Sequence, residues 1–151
     1  MREAVSGFVR KQAARHSAKI DRMLKKDYLI RQIHELVRVL FELLLKTKEN
    51  PQKEEREIFN QAYSFLNLTK DDLISRTSGQ IIELFENETL GLEKLELLGF
   101  LLFNEFKFAD DFKDEYLLHL SKDILTYVDQ HSDSYSLERQ MIFARMKGIN
   151  K

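Results

Sequence analysis

Residues 99–112 read GFLLFNEFKFADDF and hold five of the chain's eleven phenylalanines. Either these rings line a ligand pocket, or they are the centre of a hydrophobic core. Helical spacing decides between the two. Phe100, Phe103 and Phe106 recur three apart, and Leu97, Leu98, Leu101 and Leu102 fill the adjoining arcs. A helix that is apolar around most of its girth belongs inside a bundle, enclosed by others. A pocket needs convergent polar groups, and only Asn104 and Glu105 stand near. The stretch therefore reads as core, predicting burial of Leu98, Phe100, Leu102 and Phe103. Gly99 within it costs about 1 kcal/mol against alanine in a helix, a cost that close approach of a neighbouring backbone would offset. Phe108 and Phe112 flank the turn at Ala109–Asp110, placed to staple a hairpin.

Outward from this segment the pattern stays helical. A helix over about 27–46 carries Leu29, Ile33, Leu36, Leu40 and Leu44, widened by Ile30, Val37 and Phe41. Its apolar surface calls for burial on two sides or a homodimer through that helix, chiefly around Val39, Phe41, Leu43 and Leu45. Asn50, Pro51, Glu54 and Glu55 open the next helix, with Ile58, Phe59, Ala62, Tyr63 and Leu66. Thr69/Asp72 and Thr77/Gln80 have capping-box spacing and start two short helices, the second bearing Ile81, Ile82, Leu84 and Phe85. After the long apolar helix at about 92–108, Asp110 or Asp111 opens another through Phe112, Tyr116, Leu117, Leu120, Ile124 and Val128. SDSYS at 132–136 breaks the chain before a last helix with Leu137, Met141, Ile142, Ala144 and Met146. No alternating stretch competes as a strand. The expectation is an all-α fold of antiparallel helical hairpins, with about six to seven helices.

Composition supports that class. One proline and five glycines in 151 residues, with 43% hydrophobic and 32% charged residues, suit a single helical domain. The absence of cysteine rules out disulfides, thiolate zinc sites and cysteine nucleophiles, and fits a reducing cytoplasm. No apolar run approaches a transmembrane span.

Net charge is only −1, but it is unevenly placed. Residues 1–26 carry eight Lys/Arg against Glu3 and Asp21, whereas the rest of the chain has an acidic excess. This basic leader forms an amphipathic helix with Val5, Phe8, Val9 and Ile20 on one side. Arg10, Lys11, Arg15, Lys19, Arg22 and Lys26 lie on the other, in position to contact an anionic membrane or nucleic-acid phosphates. Two plainer readings stand beside it: a helix docked on the acidic remainder, or an upstream extension dispensable to a working chain that starts at Met23. The division expected is a leader, 1–26, and one helical domain, 27–151.

Catalytic and metal chemistries find little to stand on. His16, His34, His119 and His131 match no metal-binding spacing, and His119 with Asp123 one turn on reads as a surface pair. There is no nucleophile elbow and too little glycine for a phosphate loop. Neither metal nor cofactor is expected, nor an enzyme.

DYLIRQI (27–33), LNLTKDDL (66–73) and LGLEKLELLG (90–99) resemble a bacterial family of small helical proteins with a degenerate tetratricopeptide-like organisation, over residues 27–149. The family carries no assigned activity, so the resemblance implies a fold and no reaction. Together these readings point to a non-enzymatic, cytoplasmic bacterial scaffold that binds another protein. The alternative is an adaptor for anionic surfaces acting through the leader.

Overall fold

The structure is a computed structural model. It describes the backbone of residues 2–46, 53–108 and 115–149, and the side chains of 20–46, 55–108 and 115–149. Among these residues it is all-helical: α1 (Arg2–Leu45), α2 (Lys53–Leu66), α3 (Lys70–Ile74), α4 (Ser78–Phe85), α5 (Gly91–Lys107), α6 (Glu115–His131) and α7 (Leu137–Ile149). The expected starts at Asn50–Pro51 and Asp110–Asp111, and the staple partner Phe112, lie outside the described residues.

Contacts divide the chain into two units, Met1–Gln32 and Ile33–Lys151. The first holds the larger part of α1, where Ile20, Met23, Leu24 and Tyr28 are exposed. The leader and the helix expected at 27–46 are not separate helices, because α1 runs unbroken through Lys26 and Asp27. The chain changes charge there, but it has no proline, glycine or capping residue to stop a helix.

The second unit is built on α5. Leu95, Leu97, Leu98, Phe100, Leu101, Leu102 and Phe103 are all buried, as expected of an enclosed helix. α6 packs on α5, with Leu117, Leu118, Leu120, Ile124, Leu125 and Val128 buried in the core. Between the two helices the Ser121 hydroxyl donates to the Gly99 carbonyl oxygen (2.7 Å). A β-carbon at Gly99 would stand 2.5 Å from two carbons of the Leu125 side chain. What stands close to Gly99 is therefore the Leu125 side chain, with the Ser121 hydroxyl on its carbonyl, and not the neighbouring backbone expected there.

On another side α2 contributes Phe59, Ala62 and Leu66, and the rings of Phe59 and Phe108 meet with centroids 6.1 Å apart. Glu105, buried on α5, reaches Lys70 of α3 (3.3 Å) and Arg56 of α2 (3.9 Å), tying three helices by charge. α4 adds Ile81 and Phe85, and α7 adds Ile142 and Met146. Leu137 and Met141, expected on the apolar face of α7, are exposed. Within α1, Ile33, Leu36, Leu40, Leu43 and Leu44 enter this core, Val37, Val39 and Phe41 are half-buried, and Leu45 is exposed.

The joints follow local chemistry. Asn67 takes a left-handed conformation (φ 55°) after α2. Its N–H donates to the Ser64 carbonyl, and that of Leu68 donates to Tyr63, closing a Schellman turn. Thr69 and Thr77 form complete capping boxes with Asp72 and Gln80. Leu90, also left-handed (φ 60°), leads into Gly91, where a β-carbon would sit 2.2 Å from the Phe85 carbonyl oxygen. That joint requires glycine.

Candidate partner-binding groove

A groove of about 450 Å³ opens between the C-terminal part of α1, the first turns of α5 and the α6–α7 connection. Its apolar wall is Val37 and Phe41 of α1. His34 and Arg38 of α1, Glu93 and Glu96 of α5, and Ser132, Ser134, Tyr135, Ser136, Glu138 and Arg139 complete the lining.

Arg139 is the residue that builds this wall. Its side chain is 2% exposed, although it carries a full charge. Nε donates to Asp129 (2.9 Å), one terminal nitrogen to Glu96 (2.8 Å) and the other to the Ser134 carbonyl (3.0 Å). A guanidinium with five donors in a fixed fork suits such a junction, because it can hold two carboxylates and a carbonyl at once. α5, α6 and the loop before α7 are thereby locked to one side chain. Gln140 also donates to Asp129 (2.9 Å), so that carboxylate is fixed from two directions.

The loop itself is pinned at each step. The N–H of Ser132 donates to the Val128 carbonyl (2.8 Å), that of Ser134 to the Ser132 hydroxyl (3.1 Å), and that of Arg139 to the Ser136 hydroxyl (3.2 Å). On this loop Tyr135 is 76% exposed, an aromatic ring displayed on an ordered backbone. Arg38 is held in place by Glu35 (2.5 Å) and Glu42 (3.2 Å), and both acids raise its pKa. The groove's two arginines are therefore each matched to two carboxylates, while Glu93 and Glu138 have no ion-pair partner among the described residues.

The leader cations are distributed differently. Arg22 and Lys26 are exposed on α1. Arg10, Lys11, Arg15 and Lys19 belong to the same helix, but their side chains lie outside the described residues. A regular helix brings positions 11, 15, 19, 22 and 26 into an arc of about 80°, with position 10 about 100° from position 11. Five of the six expected contact positions thus share a face, and Arg10 does not.

His119 is exposed, and Asp123 accepts a hydrogen bond from the Ser78 hydroxyl (2.7 Å), which links α6 to the start of α4. Among the described residues no group of three histidine or acidic side chains is placed to hold a metal ion. No helix there is long and apolar enough to cross a membrane.

A second polar cluster lies inside, between α2 and α5. The Tyr63 hydroxyl and the Asn104 side-chain Oδ1 are buried without a hydrogen-bond partner among the described residues, and the Asn104 Nδ2 donates to the Phe100 carbonyl (2.9 Å). Burial, and then the negative charge of Glu105, push the Tyr63 pKa up, so the phenol stays neutral.

Sequence reading passed over Arg139, because an arginine amid polar residues resembles any solvated one until its partners 43 and 10 residues away are known. The visible signal was the serine-rich break next to it. Set against protein-family models, curated proteins and solved structures, the chain matches none.

Proposed function

We propose that this chain is a non-enzymatic helical module of the bacterial cytoplasm that binds another protein, with the groove around Tyr135 as its contact surface. The observation that carries the reading is Tyr135 itself. Tyrosine offers a large amphipathic contact with few rotatable bonds, and such residues dominate binding energy at interfaces. Here the ring stands on a loop already fixed by Arg139 and the serines, so little ordering cost remains to be met on binding. Val37 and Phe41 supply apolar surface beside it, and Glu93 and Glu138 supply charge for orientation. A degenerate tetratricopeptide-like arrangement is part of the same proposal, supported by the packing of α5 against α6, its neighbour in the chain. A homodimer through helix 27–46 would use exposed Leu45 with half-buried Val39 and Phe41, since Leu43 is already buried.

The second reading, contact with a membrane or nucleic acid through residues 1–26, is favoured by one observation. The unbroken α1 aligns positions 11, 15, 19, 22 and 26 on one face.

Photo-crosslinking separates the two. A benzoylphenylalanine at position 135 should give a discrete protein adduct in cells, whereas the same probe at exposed Leu84 on α4 should not. Equal labelling at both positions, or none at 135, would count against the groove. Salt-sensitive binding to anionic vesicles, lost when Lys11, Arg15 and Lys19 become glutamine, would favour the leader instead.

A further inference from the structure

Away from the groove, two cations meet at the C-terminus of α1. The Lys107 ammonium, in the last turn of α5, donates to the Leu44 carbonyl oxygen (2.6 Å). The Arg145 guanidinium, from α7, donates to the same oxygen (3.2 Å). Their nitrogens can be no farther apart than these two bonds laid end to end. Neither cation is paired with a carboxylate among the described residues. The carbonyl end of a helix carries only a partial negative charge, so among the described residues the two cations here are not neutralised.

The geometry points to Lys107 as a site of acylation by small acyl phosphates, with Arg145 holding the donor's phosphate. Three features support it. The lysine remains open to solvent, so a donor can reach it. A guanidinium fork beside it matches phosphate oxygens, which places the acyl carbon next to the amine. Burial, and then the charge of Arg145, lower the pKa of Lys107, which enlarges the share of neutral, nucleophilic amine.

In the reaction the amine lone pair attacks the acyl carbon and a C–N bond forms. The C–O bond to phosphate breaks, inorganic phosphate leaves with the electron pair, and the nitrogen gives its proton to solvent. The amide product keeps one N–H for Leu44 but no charge, so α1 loses one of the two cations at its C-terminus. This modification does not depend on what the groove binds.

The test is to incubate the full chain with acetyl phosphate and follow each lysine by mass spectrometry over time. Lys107 should be acetylated several-fold faster than exposed Lys122, and excess inorganic phosphate should remove that advantage. Arg145→Gln should slow Lys107 more with acetyl phosphate than with a phosphate-free donor such as N-hydroxysuccinimidyl acetate, leaving Lys122 unchanged with both. Equal rates at Lys107 and Lys122 in the unsubstituted protein, or a Lys107 advantage that phosphate does not compete away, would overturn the proposal without any variant. An equal effect of Arg145→Gln on both donors would overturn the role given to Arg145.

Discussion

Phe103 is 2% exposed, and its ring lies 6.3 Å from that of Phe106, which is half-buried at the edge of the same helix. Removing such a ring forfeits its transfer energy and leaves a cavity that close-packed neighbours fill only in part. Phe103→Ala should therefore lower stability by about 3 kcal/mol or more in chemical denaturation. Gly99 poses the opposite problem. Alanine there would push against the Leu125 side chain, including its branch carbon, which cannot swing away as a chain end would. Gly99→Ala should destabilise by roughly 1–3 kcal/mol despite alanine's better helix propensity, and shortening Leu125 to alanine in the same chain should recover part of the loss. That glycine was legible in the sequence as an oddity in an apolar helix. What fills the space beside it was not, because Leu125 lies on a different helix, and helix periodicity carries no information about which faces meet.

Elements were legible where their ends are made by local chemistry. Thr69 with Asp72 and Thr77 with Gln80 announce helix starts three residues apart, and both capping boxes form. The continuity of α1 was missed for a related reason: a change of charge at Lys26–Asp27 resembles a boundary, yet charge does not interrupt backbone hydrogen bonding. The groove wall was least legible, since Arg139, Asp129 and Glu96 come together only once α5, α6 and α7 are packed. Substituting Arg139 by methionine keeps its bulk but leaves Glu96 without its donor, Asp129 with Gln140 alone and the Ser134 carbonyl with the Ser132 hydroxyl alone. Both acids retain some solvent access, so the cost should be about 2 kcal/mol, and Arg139→Lys should recover little of it because an ammonium lacks the fork. Circular dichroism melts of the two variants check this.

The capping box at α3 makes a prediction in pH. The Thr69 backbone N–H, followed by its side chain, hydrogen-bonds the Asp72 carboxylate and holds its pKa below the usual range. A carboxylate depressed in the folded state stabilises it above the unfolded value of about 3.9. That contribution is lost as pH falls through the lower folded value. The stability gap between the unsubstituted protein and Asp72→Asn should be present at neutral pH and close on acidification. A gap constant down to strongly acidic pH would show that the carboxylate's charge is not what stabilises the turn.

At the scale of the whole molecule, one apolar helix organises the second unit, and the groove, the buried Glu105 and the Lys107–Arg145 pair are all arranged around it. The claim beneath every other is that residues 97–104 are enclosed core and not a ligand-lined cavity. Hydrogen exchange on the full chain, read residue by residue, tests it most directly. Amides that open only on global unfolding exchange slowest, and those beneath exposed side chains with few buried neighbours exchange fastest. The amides of 97–104 should be the slowest in the protein, protected to the full unfolding free energy, while those of 20–28 in α1 exchange orders of magnitude sooner. Equal exchange in the two segments, or protection of 97–104 that appears only when a small ligand is added, would contradict the core reading and return the phenylalanines to a binding site.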